Sequence, residues 1–470
     1  MISLIKRPIK HKFAIISFTI SSLFLSGCAS KINEEQHQQL LESFIERADV
    51  ASSLSGMDES NWWHQFDSPQ LNQLVNLALV KNHDLKTSQL QLKSMLARLG
   101  AQKAEYLPQG NITVSAERSS LAETITSQSS ANIGVDWQID LFGRVTALVD
   151  AANASAMSKA EQLRLLKVEI VSSVVKGYIS YQGNLENELI ISQQIEALKQ
   201  SIDVLKARVD EGVANELDLN RTKAQLSQQQ ALLPAIKYAQ YRDLSTLALL
   251  TGQFTNEMML TEKTGFLSSD LAVEIADPNN AIALRPDINQ ALFNFSQAYS
   301  LSVAASKALL PNISLSGFAG VLGLNNTRLV DTQQQWQVTP QLEWSLLSYP
   351  ALIAQKDAQQ FLSEAAYSAY QQVVLKAINE SELSLQFLIK QTNQHSYAQA
   401  RFKHANNAFL QAQAMYQEGQ IPYLELLDAR QDVLIAEKSN IDTSISSLIA
   451  KVSTYQAFNG HWSQQLITEH

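Results

Sequence analysis

Two stretches of this chain lack helix-breaking residues over a length that strongly limits its fold. Residues 145–210 contain no proline, and residues 351–418 contain neither proline nor glycine. Both are rich in Ala, Leu, Gln, Glu, Lys and Ser, which are mostly compatible with a helix. The mean helix has about 11–12 residues, whereas each stretch would form a helix roughly 100 Å long. The sequence therefore predicts two very long helices.

The two stretches belong to two copies of one unit. Similar words recur at an offset of 203 to 207 residues: Asn82-His83-Asp84-Leu85 with Arg285-Pro286-Asp287-Ile288, Leu107-Pro108 with Leu310-Pro311, Trp137 with Trp344, Glu211-Gly212 with Glu418-Gly419, and Asp218-Leu219 with Glu425-Leu426. Self-similarity of this kind indicates an internal tandem duplication with a period of about 205 residues. We expect the first repeat at 71–270, the second at 271–462, and a tail at 463–470.

Each copy has the same order of predicted elements. A helical stretch opens the copy, at 71–106 and at 287–309, and a return helix follows the long helix, at 215–250 and at 423–457. A glycine, Gly212 or Gly419, separates the long helix from its return helix, as expected for a helix C-cap. The pattern in each copy thus predicts a helical hairpin with a glycine at its tip.

Before each long helix, apolar and polar residues alternate in two segments. The alternating positions are Ile112, Val114 and Ala116, then Ile133, Val135, Trp137 and Ile139 in copy one, and Ile313, Leu315, Gly317 and Ala319, then Trp336, Val338, Leu342 and Trp344 in copy two. Strict alternation predicts β-strands, and about 9–11 tilted strand residues cross a bilayer. Polar loops are expected between the paired segments, at 119–130 and 323–333.

Four strands in one chain cannot close a barrel, for which about eight strands are the smallest useful number. Lipid tolerates no open sheet edge. Either these segments are not membrane strands, or several chains share one barrel. Three chains would supply a twelve-stranded barrel with a water-filled pore, and the long helices would continue it as a tube. The predicted fold class is therefore an α+β membrane protein.

The first residues resemble a bacterial lipoprotein signal. Residues 1–12 carry four basic residues and no acid, and residues 13–25 form a short apolar run, which is the layout of a signal peptide. The run ends in Leu25-Ser26-Gly27-Cys28, and Cys28 is the only cysteine. This box resembles the lipobox, which implies a signal peptide at 1–27, a lipid on Cys28, and a lipid-anchored segment at 28–70. A normal cleavage site with a buried cysteine is the alternative.

Composition argues against several other classes. The net charge of −9 disfavours a nucleic-acid partner. The eight histidines are scattered and no nucleotide-binding loop occurs, so no metal and no cofactor are expected. Two short motifs of penicillin-interacting serine enzymes occur in the chain, at Ser173-Val174-Val175-Lys176 and at Lys263-Thr264-Gly265. The third motif of those enzymes, Ser-Asp-Asn, does not lie between them. We therefore expect no enzymatic activity.

Several further short motifs occur in an order that is specific to one protein family. They are Trp62-Trp63 with Phe66, Leu107-Pro108, Trp137-Gln138-Ile139-Asp140-Leu141-Phe142-Gly143-Arg144 at the first strand-to-helix junction, Arg285-Pro286-Asp287-Ile288, and Phe458-Asn459-Gly460-His461-Trp462. Together with Cys28 and the duplicated layout, they resemble the TolC-like outer membrane efflux proteins, specifically the lipid-anchored branch. The resemblance covers essentially all of 28–470. The second junction departs from it, because residues 344–350 lack the Asp-Leu-Phe-Gly-Arg of the first.

The resemblance implies a homotrimer anchored in the outer membrane lipid and extending into the periplasm of a Gram-negative cell. A shared twelve-stranded barrel, a long α-helical barrel and a mixed equatorial belt would form one tunnel. Its partners would be a periplasmic adaptor and an inner-membrane pump, often of the resistance-nodulation-division type. The rival interpretation is a structural lipoprotein that spans the periplasm without a pore.

The resemblance also places a periplasmic gate at the helix tips, after Gly212 and Gly419. In the family pattern, an Asp six residues after the first glycine bonds a Tyr three residues before the second, and here these are Asp218 and Tyr416. Acids six and nine residues after the second glycine correspond to Glu425 and Asp428, which would form carboxylate rings in a trimer. Ile421 stands where the family has an arginine. Arg208 and Arg221 are candidates for replacement ion pairs.

Overall fold

The computed structural model describes residues 59–121, 124–261, 265–268, 282–324, 329 and 332–458. Within these ranges the helices and strands are, in chain order, α1 (Pro69–Lys81), α2 (His83–Ala104), β1 (Gln109–Leu121), β2 (Thr124–Ile139), α3 (Arg144–Asp210), α4 (Glu216–Leu250), α5 (Pro286–Lys307), β3 (Asn312–Leu324), β4 (Thr332–Glu343), α6 (Tyr349–Gln417) and α7 (Tyr423–Ala457). Short 3₁₀ turns lie at Glu59–Phe66, Thr255–Glu257, Phe266–Ser268 and Leu346–Ser348.

The prediction of two very long helices is confirmed. α3 has 67 residues and α6 has 69, and the return helices α4 and α7 have 35 residues each. α4 continues through Pro234. None of the described helices contains a stretch that is both long and apolar enough to cross a membrane.

The helical stretch predicted at 71–106 consists of two helices, because the chain breaks at Asn82. This residue is extended, ends α1 and begins α2. Its side-chain oxygen accepts hydrogen bonds from the backbone N–H groups of Asp84 and Leu85, at 2.9 and 3.0 Å. An asparagine at this position satisfies N–H groups that the first helical turn leaves unpaired, so two helices replace one.

The helices form a single-layer wall, and their neighbours differ between its two halves. In the half that ends at the tips, α4 contacts α3, α3 contacts α7, and α7 contacts α6. In the half that adjoins the strands, α2 contacts α3, α3 contacts α5, and α5 contacts α6. α5 thus continues the row that α7 occupies. The helix α3 and the helix α6 run through both halves and hold them together.

The same contact joins the two halves in both repeats. The Asn82 side-chain amide donates a hydrogen bond to the Leu250 carbonyl at 2.9 Å, where α4 ends. The Arg285 guanidinium donates one to the Ala457 carbonyl at 2.7 Å, where α7 ends. Arg285 is buried, and it also binds Asp287 at 2.7 Å and Glu380 at 2.9 Å. The duplicated sequence therefore gives duplicated contacts, with a charged group only in the second copy.

The four strands form one antiparallel sheet in the order β1-β2-β3-β4. One row across it is apolar and consists of Ile112, Ile133, Ala319 and Trp336. Ile112 and Trp336 are each 77% exposed in the single chain. The adjacent row is polar and consists of Thr113, Asn132, Gly320 and Gln335. These two rows show the predicted alternation, and β3 adds the apolar residues Phe318 and Leu322 to the otherwise polar face.

The predicted polar loop at 119–130 is wrong, because β1 and β2 extend through most of it. Ser119 and Thr126 share a hydrogen bond of 2.9 Å across the two strands, and Ser115 and Ser130 share one of 2.8 Å. Polar side chains do not interrupt a strand whose polar face is wet, so a run of serines and threonines does not by itself mark a loop. The loop predicted at 323–333 lies mostly outside the described residues.

Each sheet hairpin is attached to the preceding helix by a tryptophan. The Trp137 indole N–H donates to the carbonyl of Tyr106 at 2.9 Å, just before Leu107-Pro108. The Trp344 indole N–H donates to the carbonyl of Leu309 at 3.2 Å, just before Leu310-Pro311. These matching bonds fix where each hairpin leaves the wall.

An aromatic belt covers one face of the wall at mid-height. Trp62 stacks on Tyr455 of α7, with ring centroids 4.9 Å apart. Phe266 packs against Tyr178 of α3 at 5.1 Å, and against Phe66 at 5.3 Å. The segments before α1 and after α4 therefore lie together against α3 and α7.

The first strand-to-helix junction is closed by Asp140. Its carboxylate accepts hydrogen bonds from the backbone N–H groups of Val145 and Thr146, at 2.9 and 2.8 Å, and from the Thr146 hydroxyl. Burial opposes ionisation here, but these hydrogen bonds outweigh it and lower the pKa of Asp140. Gly143 takes a left-handed φ of 78°. Phe142 and Arg144 are exposed beside it.

At the second strand-to-helix junction, the long helix begins without an aspartate cap. Leu347, which is equivalent to Asp140, is fully exposed and lies in the 3₁₀ turn Leu346–Ser348. Pro350 follows in the first turn of α6, where a missing N–H costs nothing. Arg144 and Glu343 line a common cavity of about 250 Å³ between the two junctions.

We expect the substitution Asp140→Ala to loosen the first turn of α3, because three hydrogen bonds are lost. Loss of such a cap costs about 1 kcal/mol, so the amides of Val145 and Thr146 should exchange with deuterium about fivefold faster. Mass spectrometry of peptides covering 140–150 measures this. Leu347→Ala is the matched control and should leave exchange at the start of α6 unchanged. Equal exchange in Asp140→Ala and the parent protein would contradict the capping role.

Candidate gate at the helix tips

The two hairpin tips have the same backbone geometry. Gly212 and Gly419 have φ angles of 73° and 75°, in the left-handed region that favours glycine. The amide of Val213 bonds the carbonyl of Arg208 at 2.9 Å, and the amide of Gln420 bonds the carbonyl of Met415 at 2.8 Å. This six-to-one bond defines the Schellman motif. The two glycines therefore end the long helices in the same way.

A polar contact crosses from the tip of α3 to the tip of α6. Arg208 donates a hydrogen bond from its guanidinium to the Tyr416 hydroxyl at 2.6 Å, and its guanidinium carbon lies 5.7 Å from the Tyr416 ring centroid. Tyr416 is half-buried, and its ring contacts Tyr423 at 5.5 Å, nearly edge to face. The hydroxyl of Thr222, on α4, donates to the Tyr423 hydroxyl at 3.3 Å. One chain of contacts thus links both hairpins.

The hydrogen bond expected between Asp218 and Tyr416 is not formed in the structure. Asp218 lies in the first turn of α4, where its backbone N–H donates to the Asn215 side chain at 2.9 Å. The longer Arg208 reaches the phenol instead. Arg208 therefore makes a hydrogen bond and a cation–π contact within the chain, and an ion pair of Arg208 with another copy stays a prediction.

The remaining predicted gate residues face water in the single chain. Glu425 and Asp428 are exposed in the first two turns of α7. Arg221 is exposed on α4. Ile421 is half-buried just before Pro422, which begins α7. The side chains of Glu425 and Asp428 are therefore available for contacts that a second copy would supply.

Sequence reasoning missed a set of polar contacts between α3 and α7, which we call the polar seam. Its members on α3 are Gln194 and Ser201, and on α7 they are Glu437 and Arg430. Gln194 donates to Glu437 at 3.2 Å, and Arg430 donates to Ser201 at 3.2 Å. The seven-residue spacing on both helices is typical of helices that pack in a regular seam. That spacing was visible in the sequence, but the pairing partner was not.

Burial acts against the charged forms of both ionisable groups in the polar seam. Burial raises the pKa of the Glu437 carboxyl, and the hydrogen bond from Gln194 opposes this only in part. Burial also lowers the pKa of Arg430, which Tyr423 partly opposes. The partners of Glu437 and Arg430 across the seam, Gln194 and Ser201, are neutral.

Other predicted sites lie outside the gate. Cys28 lies outside the described residues, as do Lys263 and Thr264 of the serine-enzyme motifs. Ser173 is exposed on α3, and Lys176 donates to Gln456 at 2.8 Å. Among the residues that the structure describes, no group of His, Cys, Asp and Glu side chains could hold a metal ion.

The helical hairpins, the two-faced sheet and the tips agree with one family. Residues 74–253 and 278–460 match the sequence profile described as outer membrane efflux protein. The chain therefore belongs to the outer membrane efflux protein family. The match leaves out the segment between the two ranges, which falls near the boundary between the repeats.

Known proteins similar to this chain resemble it along nearly its whole length. It is 26% identical to the probable efflux pump outer membrane protein TtgC of Pseudomonas putida, over 96% of both chains. It is 23% identical to the probable outer membrane lipoprotein SilC of Salmonella typhimurium, over 96% of this chain and 99% of SilC. The solved outer-membrane channel OprN has a TM-score of 0.79 and 25% identity, covering 88% of this chain and 97% of OprN.

We expect the double substitution Arg208→Gln and Tyr416→Phe to open the tips. Each lost hydrogen bond contributes only about 0.5–1.5 kcal/mol, but three copies opening together should change the closed-to-open ratio by roughly tenfold or more. Single-channel conductance in planar bilayers should rise. Lys403→Gln, at an exposed position of α6 away from the tips, is the control and should leave conductance unchanged. Asp218→Ala should act less than Arg208→Gln. Unaltered conductance in the double variant would remove these residues from the gate.

Proposed function

We propose that this chain is the outer-membrane channel subunit of an efflux pump, through which drugs or other small molecules leave the cell. One observation carries this proposal. A four-stranded sheet with an apolar row on one face and a polar row on the other continues directly into helices of 67 and 69 residues. Such a sheet suits a membrane wall with a wet interior, and such helices suit a tube that extends from it.

A ring of three copies supports the same conclusion. In the described sheet, β1 and β4 each pair on one side only. The outer helices of the wall are α2 and α4 on the β1 side and α6 on the β4 side. Joining the β4 side of one copy to the β1 side of the next is a head-to-tail contact that closes a ring. Three copies give a twelve-stranded barrel, so we propose a homotrimer.

The mechanism that we propose is passive gating. Arg208 and Tyr416 hold the tips of the two long helices together in each copy. Glu425 and Asp428 would add rings of carboxylates that attract cations at the entrance. A periplasmic adaptor would bind the tips and favour the open state, because a ligand shifts such an equilibrium only by its differential affinity. An inner-membrane pump, of the resistance-nodulation-division type, would supply the energy.

We further propose that the chain is anchored in the outer membrane by a lipid on Cys28. The Leu25-Ser26-Gly27-Cys28 box supports this, and so does the lipoprotein named among the relatives. Two or more acyl chains anchor a protein firmly. Apart from the lipid we propose no cofactor and no enzymatic activity. We also propose that the chain is built from two repeats, at 71–270 and 271–462.

The rival proposal is a structural lipoprotein without a pore. Its long helices would serve only to span the periplasm. The apolar row Ile112, Ile133, Ala319 and Trp336 favours the channel, because a water-soluble sheet would gain nothing from an apolar outer face.

We expect the detergent-corrected mass of the purified protein to be that of a trimer, because four strands cannot close a barrel. The trimer should also conduct ions in planar bilayers. Multi-angle light scattering gives the mass. A folded monomer that does not conduct would favour the structural lipoprotein instead.

We expect the substitution Cys28→Ser to abolish incorporation of radiolabelled palmitate, because the cysteine thiol is the attachment point. Protein from labelled cells is resolved on a denaturing gel. Ser26→Thr, two residues earlier, is the control and should retain labelling. Label retained in Cys28→Ser would contradict the lipid anchor.

A further inference from the structure

A groove with charged walls lies where α7 ends and α5 begins. Its volume is about 920 Å³. α3 and α6 form its sides, the last turn of α7 forms its floor, and the first turn of α5 closes one end. Apolar side chains from both sides line it as well, among them Leu165, Val168, Leu383 and Phe387. The groove therefore combines charge with apolar surface.

On α3, the groove and the aromatic belt lie on opposite faces. Glu169 lines the groove, whereas Tyr178 contacts Phe266 of the belt. Nine residues separate Glu169 from Tyr178, which is two and a half helical turns. A helix places such residues on opposite sides.

The same separation holds on α7. Ser453 lines the groove, whereas Ser444, nine residues earlier, donates a hydrogen bond to the Leu267 carbonyl of the belt at 2.8 Å. In the proposed tube the belt lies on the outer face, where it leaves the channel open, so the opposite face of this one-helix-thick wall faces the interior. The groove therefore opens into the tunnel.

Most of the charges in the groove neutralise one another. Arg285 pairs with Asp287 at 2.7 Å and with Glu380 at 2.9 Å. Lys376 pairs with Glu380 at 3.5 Å. These four groups leave little charge for a bound molecule.

Two lysines and one carboxylate of the groove, Lys176, Lys390 and Glu169, are not part of these ion pairs. Lys176 donates to the neutral Gln456 at 2.8 Å, and Lys390 lies 5.7 Å from the Phe387 ring centroid. Neither lysine forms an ion pair with a described residue. Burial raises the pKa of Glu169, and the neighbouring Asp287 adds to this effect. The groove thus presents the Lys390 ammonium beside an aromatic ring, and on α3 it presents Lys176 two turns from Glu169. Burial lowers the pKa of Lys176.

We propose that this groove binds amphiphilic organic anions as they pass through the tunnel. The carboxylate or sulfonate of such a molecule would pair with Lys176 on α3 or with Lys390 on α6. Its apolar body would lie against Phe387 and the aliphatic side chains of the groove. This inference rests on the proposed channel function, because it places the groove on the tunnel face.

Calorimetry with naphthalene-2-sulfonate on the full-length trimer in amphipol tests the proposal. Binding should be measurable for the parent protein and absent for the cation naphthalen-2-ylmethylammonium. The double substitution Lys176→Gln and Lys390→Gln should weaken binding by at least about tenfold, since neither position can then make a charge-assisted contact. Glu169→Gln should tighten it, because the remaining carboxylate disappears. Lys403→Gln, an exposed lysine of α6 outside the groove, should bind like the parent.

The outcomes separate this inference from the channel itself. Equal affinity in the double variant and the parent, or no binding to either, would overturn the anion site, while conductance of the parent trimer reports the channel independently. Dissociation of the trimer in the double variant would place the lysines in an interface between copies and would also overturn it. A block of the ionic current by naphthalene-2-sulfonate that the double variant loses would support the site in the open tunnel.

Discussion

The pairing of backbone groups at the two edges of the sheet constrains everything else in this molecule. β1 and β4 each have one paired side in the chain, and an unpaired edge costs several kcal/mol per group in lipid. No rearrangement of four strands removes these edges. Closure therefore comes from other copies, and the helices that continue from the strands must follow the same ring. The tube is in this sense a consequence of a sheet that is too small to close.

Both copies of the duplicated repeat contribute to the helical wall, but the two copies are not interchangeable. Asn82 and Arg285 occupy equivalent positions and bind equivalent carbonyls, yet only Arg285 introduces a buried charge that needs acids around it. Asp140 caps one long helix, whereas Pro350 begins the other. Shared contacts preserve the fold, and the departures between copies are where individual function is added.

Much of the fold could be predicted from the sequence. The constant offset between repeated motifs reveals the duplication, and the absence of helix-breaking residues reveals the long helices. The break at Asn82 was missed because an asparagine inside an amphipathic stretch resembles a tolerated polar residue until its capping bonds are seen. The serines and threonines at 119–130 were misread because composition does not reveal which face of a strand is wet. At the tips, the family resemblance singles out Asp218 and Tyr416, but the reach of the Arg208 side chain decides which group meets the phenol. Contacts between distant helices, such as Arg430 with Ser201, depend on register that a single sequence does not contain.

The matching tips have a consequence for stoichiometry. A trimer of this chain presents six hairpin ends around one circle, all closed by the same glycine motif, but of two alternating kinds. A partner that recognises only the shared turn would find six places to dock. A partner that recognises the side chains near Tyr416 and Arg208 would find three. The number of partner copies bound per trimer therefore shows whether the partner recognises the shared backbone turn or the side chains near it.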